Sequence, residues 1–180
     1  PPATALTIGE RKTASLPQPG SSHDFTFTLD APKRLVMDVF ANQSTVQWSL
    51  SGPAGTVVSG RGFNGTDASQ FVGNPLLNLA AGDYVLSIRA SSDRTGDFDF
   101  RLFDLDAEAT EIAFNDQVLG GLPDSGLGTR VFKLTGARHQ AFAMDMIAMP
   151  ANNTAWRLIG PSGTQVIAPR LLRDEAGFVL

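Results

Sequence analysis

Gly82-Asp83-Tyr84-Val85-Leu86-Ser87-Ile88-Arg89, followed by Gly96-Asp97-Phe98-Asp99-Phe100-Arg101-Leu102, decides the fold class of this chain. Tyr84, Leu86 and Ile88 alternate with Val85, Ser87 and Arg89, and Phe98, Phe100 and Leu102 alternate with Asp97, Asp99 and Arg101. A period of two is the signature of a β-strand with one buried face. Ser91-Ser92-Asp93-Arg94-Thr95-Gly96 between them carries turn chemistry, which predicts that the two strands form a hairpin.

The same alternation recurs upstream. Phe25, Phe27 and Leu29 alternate with Thr26, Thr28 and Asp30, and Val46, Trp48 and Leu50 with Gln47, Ser49 and Ser51. Leu35, Met37 and Val39 alternate with Val36, Asp38 and Phe40, a strand apolar on most of both faces. Ser51-Gly52-Pro53-Ala54-Gly55 should reverse the chain, Pro setting φ and Gly supplying a positive one. A longer loop is expected from Gly60 to Pro75. Helix is admissible only over Asp106–Phe114 and Arg170–Ala176, and the first of these reads better as a linker and an opening strand. Many short strands with Gly/Pro turns predict an all-β antiparallel sandwich or barrel.

Composition agrees. The chain has 180 residues, of which 29 are Gly or Pro, too frequent a punctuation for long helices. A hydrophobic share of 42% excludes a disordered chain, and a net charge of −4 argues against non-specific nucleic-acid binding. No apolar run is long enough for a membrane-spanning helix. The absence of cysteine removes disulfides, thiolate metal sites and thiol nucleophiles. Pro1 to Leu6 is not a signal peptide, and the chain is expected to start inside a longer product or after processing.

The sequence also repeats itself. Trp48-Ser49-Leu50-Ser51-Gly52-Pro53-Ala54-Gly55-Thr56-Val57-Val58 matches Trp156-Arg157-Leu158-Ile159-Gly160-Pro161-Ser162-Gly163-Thr164-Gln165-Val166 at a constant offset of 108. Met37-Asp38 falls on Met144-Asp145, Phe25 and Phe27 fall on Phe132 and Leu134, and Thr4 falls on Thr110. This divides the chain into a complete unit, residues 1–106, and a second, incomplete copy, residues 107–180. On this alignment Leu180 falls at about Val72, and everything equivalent to Leu76–Asp104, three strands, is missing. Either the chain is cut from a longer array, the favoured reading, or another chain supplies the strands.

These residues carry a family resemblance. Asp24–Leu29, Arg34–Asp38, Trp48–Gly55, Leu79–Ile88 and Thr95–Leu102 in succession resemble the bacterial pre-peptidase C-terminal (PPC) domain. They resemble more closely still a repeat of about this length in very large secreted or surface proteins of bacteria. The resemblance implies tandem jelly-roll-like antiparallel β-sandwiches, the second one truncated at its C-terminus. It carries no catalytic residues and implies an accessory, extracellular role beside peptidases, adhesive modules or calcium-binding repeats.

Chemistry-bearing constellations are sparse. His23 and His139 do not occupy matching positions, show no metal-ligand spacing and read as solvated loop side chains. No G-x-S-x-G elbow is present. Aspartate supplies 14 of the 18 acidic residues. Asp97, Asp99, Asp104 and Asp106 are bunched, and such hard oxygen ligands suit Ca²⁺, although turn and strand-edge roles are the preferred reading. Asp38 and Asp145 recur at one position inside an apolar strand, where a buried carboxylate must be hydrogen-bonded; a bond to a loop backbone is expected. Trp48 and Trp156 should anchor cores, with a sugar-binding platform as the sharper alternative.

The resulting expectation is a non-catalytic structural or adhesive repeat module of a large extracellular bacterial protein, needing no cofactor. Its partners would be neighbouring repeats of the same protein, or another chain by β-strand complementation, with no nucleic acid and no membrane span. The alternative is a carbohydrate- or calcium-binding accessory domain, attached or not to a secreted peptidase.

Overall fold

The computed structural model describes residues 2–41, 43–67, 73–122, 128–145, 147, 154–173 and 175–179. Its architecture is all-β. The strands of the first half are β1 (Thr4–Ala5), β2 (Arg11–Leu16), β3 (Ser22–Leu29), β4 (Lys33–Val39), β5 (Val46–Gly52), β6 (Gly55–Gly62), β7 (Leu76–Leu79), β8 (Gly82–Ala90) and β9 (Gly96–Asp104). A single helical turn, α1 (Leu105–Glu108), follows, capped by the Asp104 carboxylate on the Asp106 amide. The second half contains β10 (Thr110–Ile112), β11 (Phe132–Leu134), β12 (Ala141–Met144), β13 (Ala155–Ile159), β14 (Gln165–Leu171) and β15 (Glu175–Val179). The segment Arg170–Ala176, admissible as helix from its sequence, instead holds the end of β14 and the start of β15, residue 174 lying outside the described residues.

The first half forms two facing sheets, ordered β1-β3-β8-β5-β6 and β2-β9-β4-β7. All neighbours in them are antiparallel except β1 with β3. Alternation does the sorting. Phe25, Phe27, Trp48, Leu50, Tyr84, Leu86 and Ile88 from one sheet meet Leu35, Met37, Phe98, Phe100 and Leu102 from the other in one buried cluster. Trp48 is 1% exposed, and its indole N–H donates to the Thr66 hydroxyl at 2.9 Å, so its polar atom is satisfied inside the core. This is the core-anchor position expected for it, and it leaves no indole face for a sugar.

The expected Tyr84–Phe98 hairpin does not form. β8 pairs with β3 and β5, and β9 pairs with β2 and β4, so the two strands lie in different sheets. Both carry one continuous apolar face, and in this arrangement the two faces meet across the core. The connection is tied to the loop before β5, where the Ser91 amide donates to the Thr45 carbonyl and the Thr45 hydroxyl to the Thr95 carbonyl. The joint is therefore an arch between sheets.

The Pro53-Ala54 turn closes β5 and β6 as expected, with Gly55 at φ 101°. Gly52 is required for a second reason. A Cβ there would sit 2.2 Å from Cε1 of Tyr84, whose ring stacks on Phe27 at 5.1 Å and whose hydroxyl donates to the Ala80 carbonyl.

The second half is built of strand pairs: β10-β11, parallel, and β12-β15 and β13-β14, antiparallel. Its pairings echo the first half. Thr4 faces Phe25, and Thr110 faces Phe132. In β5-β6, Trp48 faces Arg61 and Leu50 faces Val58, while in β13-β14, Trp156 faces Arg170 and Leu158 faces Ile167. Both hairpins slip register between the Trp and the Leu, and again just after the Leu. Val58 and Ile167 are both buried, whereas Val57 and Val166 are both exposed. Ile167, and not Val166, therefore stands where Val58 stands, one residue beyond the constant offset of 108. Among the described side chains beyond residue 107, Ile167 is the buried hydrophobic one.

Gly52→Ala should destabilise the first half by about 1–3 kcal/mol, because the added methyl overlaps the Tyr84 ring, which is held by Phe27 and Ala80. Urea unfolding followed by tryptophan fluorescence measures the loss. A midpoint equal to that of the parent protein would refute the packing role of this glycine.

Candidate functional site

β4 is apolar on both faces because both faces are covered. Leu35, Met37 and Val39 point into the sandwich core. Val36 points the other way and joins Leu76 and Phe103 in a second cluster, against which Leu105, Val131 and Ile159 pack. Val131 and Ile159 belong to the second half of the chain. The outer face of the β2-β9-β4-β7 sheet is thus the surface on which the second half docks.

A buried polar group sits beside that cluster. Asp38, one residue from the end of β4, is 0% exposed. Its carboxylate accepts from Nη2 of Arg101 at 3.0 Å and Nε at 3.3 Å, from the Thr129 hydroxyl at 2.8 Å and from the Thr129 amide at 3.3 Å. The expected bond to a loop backbone is present, and its donor comes from the opposite half of the chain. Arg101 also stacks over the Phe103 ring at 4.8 Å and donates to the Thr129 carbonyl at 3.5 Å. One guanidinium therefore serves both sides of the junction.

Asp67 is a half-buried carboxyl beside Asp38. Its Oδ2 accepts from the Val39 amide at 2.7 Å. Burial, followed by the neighbouring charge of Asp38 and a hydrogen bond to it, pushes Asp67 up to about 7, against the opposing pull of the Val39 bond. Arg157 of β13 reaches across to the same place, donating to the Asp67 carbonyl at 3.1 Å and to the Gly73 carbonyl at 3.0 Å. Burial lowers its affinity for a proton, and the Asp67 charge opposes that.

The tip of the β13-β14 hairpin completes the contact. Gly163, at φ 80°, lies against β7, where a Cβ would meet Asn78 Oδ1 and Leu76 Cδ2, each at 3.1 Å. Its carbonyl accepts from Asn74 Nδ2 at 2.7 Å, and the Pro161 carbonyl accepts from Arg34. Only a residue without a side chain allows this approach at that φ.

The four aspartates singled out for calcium are spread along β9 and α1. Asp97 is exposed on β9 opposite Ser15. Asp99 holds Arg11 through two hydrogen bonds, Asp104 holds Lys33 and caps α1, and Asp106 holds Arg34, which keeps its carboxyl below the usual range. Among the described residues no three His, Asp or Glu side chains are arranged to hold a metal ion. His23 is not a solvated loop residue. It lies in β3, half-buried, with its ring edge-on to Phe98 at 5.3 Å, because the alternation of β3 carries it onto the inner face with Phe25 and Phe27. His139 is exposed in a turn at φ 64°, as expected. Asp145, expected to be buried like Asp38, is exposed, because none of the described residues covers that end of β12.

Sequence reasoning missed Asp67, Thr129 and Arg157, which become neighbours only through the docking of the two halves. The one signal available was β4 itself, whose second apolar face demanded a cover. No family model matches the chain, and no curated protein matches it. What the arrangement does chemically is to close a junction: Arg101 and Thr129 satisfy the Asp38 carboxylate, and Arg157 satisfies backbone carbonyls of Asp67 and Gly73.

The junction should be sensitive to pH. Folded, Asp67 keeps its proton up to about 7, whereas an unperturbed aspartate ionises near 3.8. Between those values unfolding releases a proton, so stability is full below the lower value and falls as pH rises through the upper one. One proton sets a slope of at most ~1.4 kcal/mol per pH unit. Urea midpoints measured from pH 4.5 to 7.5 should decline, and Asp67→Asn should flatten that decline. An unchanged slope in the variant would remove Asp67 as its source. Thr129→Val should cost about 1–3 kcal/mol by leaving Asp38 short of a donor, read in the same unfolding assay.

Proposed function

We propose that this chain is a non-catalytic structural module made of tandem β-sandwich repeats, a spacer, scaffold or adhesive element of a large secreted or cell-surface bacterial protein. The observation that carries the reading is the recurrence of strand pairing. A parallel Thr–Phe start and a twice-slipped hairpin occur in both halves, in the same order, on residues that already match in sequence. The orders β2-β9-β4-β7 and β3-β8-β5-β6 support a jelly roll for the first unit. Both the jelly roll and the repeat accord with the resemblance to PPC-like domains.

The pairings also revise the alignment of the second unit. Phe142 faces Phe178 as Leu35 faces Leu77, which puts β15 in the place of β7. The connection before it is shorter, since Ile167 lies 109 residues after Val58 but Phe178 only 101 after Leu77. On this reading β15 is the counterpart of β7.

The buried junction suits a load-bearing array, in which one unit caps the outer sheet of the unit before it. A carbohydrate- or calcium-binding role is the weaker reading, because Trp48 is buried and three of the four aspartates already hold cations.

Two measurements test the proposal. Calorimetry against Ca²⁺ and a glycan panel should show no saturable heat; a Kd tighter than about 1 mM for either would overturn the non-binding reading. The chain has no cysteine, so paired substitutions trap register cleanly. Leu158→Cys with Ile167→Cys should crosslink, and Leu158→Cys with Val166→Cys should not. The reverse result would overturn the recurrence of the hairpin.

A further inference from the structure

Asn64-Gly65 is the one asparagine–glycine pair in the chain. It lies in a single 3-10 turn, Phe63–Gly65, that follows β6. The residues flanking the pair are fixed: Phe63 belongs to the sandwich core, and Thr66 is 1% exposed. Asn64 itself is exposed and Gly65 half-buried. The turn is weakly closed. The Thr66 amide reaches the Phe63 carbonyl at 3.3 Å, past the usual length of such a bond, and a single 3-10 turn has poor hydrogen-bond geometry to begin with. An exposed pair on such a turn samples other backbone angles while its neighbours stay in place.

Glycine makes that sampling productive. Rotation about the Cα–C bond of Asn64, compensated at Gly65, swings the Gly65 nitrogen toward the Asn64 side chain. Glycine accepts the compensating φ, which a residue with a Cβ resists. In the closed turn, by contrast, nothing requires glycine. Its φ is not positive, and a Cβ at this position would meet nothing within 4 Å. The closed turn therefore tolerates alanine at residue 65, and the chemistry does not.

We propose that Asn64 is a site of spontaneous deamidation, and that its isoaspartyl product loosens the hold of Thr66 on Trp48. The Gly65 nitrogen, giving its proton to hydroxide, attacks Cγ of Asn64. The side-chain nitrogen takes a proton from water and leaves as ammonia, and a five-membered succinimide remains. Water then breaks one of the two imide bonds. Cleavage at Cγ yields aspartate. Cleavage at the main-chain carbonyl yields isoaspartate, whose main chain runs on through Cβ and Cγ. One water enters and one ammonia leaves, with no change of oxidation state. Isoaspartate lengthens the chain between Phe63 and Thr66 by one atom, and both of these anchors are buried. The Thr66 hydroxyl accepts the Trp48 indole N–H at 2.9 Å and donates to the Gly62 carbonyl at 2.7 Å, across the turn that lengthens.

The test incubates the full chain at about pH 9, folded and in urea, and follows the peptide after Arg61 by mass spectrometry. A gain of about 1 Da at Asn64 is expected, at no less than about a tenth of the rate in urea. A slower gain in the folded chain, or none, overturns the site. Gly65→Ala should slow the reaction at least about tenfold and leave the urea midpoint unchanged. A rate equal to that of the parent overturns the role of the glycine. For the consequence, the isoaspartyl form is separated, and indole hydrogen exchange is read by nuclear magnetic resonance, with Trp156→Phe assigning the two indoles. The Trp48 N–H should exchange at least about tenfold faster than in the fresh protein. Asn64→Asp, which adds the charge without the extra atom, should leave it unchanged. Equal exchange in the fresh and isoaspartyl forms overturns the link to Trp48. Equal acceleration in Asn64→Asp assigns the effect to charge and overturns it as well.

Discussion

The covering of β4 on both faces is the constraint on which the rest depends. A strand whose Leu35, Met37 and Val39 face a core can leave its other face to solvent, as antiparallel sheets commonly do. Here Val36 and Asp38 on that other face are buried as well. The two demand different remedies. Val36 needs only apolar neighbours, which Val131 and Ile159 supply. Asp38 needs donors, and a buried carboxylate without them would be far costlier than an exposed one. Arg101 supplies them from the adjacent strand, and Thr129 from the other half of the chain. A polar contact of this kind adds less net stability than orientation, because the same atoms would be hydrated if the halves separated. The apolar cluster holds the halves together, and the carboxylate fixes how they sit.

The two halves differ in how far their own residues can satisfy them. The first encloses a core drawn from both sheets, with its aromatic rings in edge and stacked contacts. The second makes several contacts with the first. Gly163 rests on β7, Arg157 bonds to backbone carbonyls of the first half, and Ile159 packs under Phe103.

A good deal of this was legible in the residues. The strands that align the core, their inward sets and the Pro53-Ala54 turn all follow from alternation and turn chemistry. The Trp48 and Trp156 blocks match in sequence, and both form hairpins. The single shift after Gly163 was not legible, because Val57-Val58 can be matched one residue either way, and only pairing and burial choose Ile167. The apolar alternation of β4 says that Asp38 needs a partner, but Thr129, Asp67 and Arg157 carry no local pattern that connects them to it.

By itself, the sequence determined the all-β class and the faces of the core strands, because each is a matter of period and spacing along one chain. The tertiary structure alone decided that β8 and β9 lie in opposite sheets, since the same alternation serves a hairpin or an arch equally well. It also decided which half covers the outer face of β4. Both are choices between edges and faces that look alike locally. They are settled by burial of apolar surface and satisfaction of polar groups summed over residues far apart in the chain.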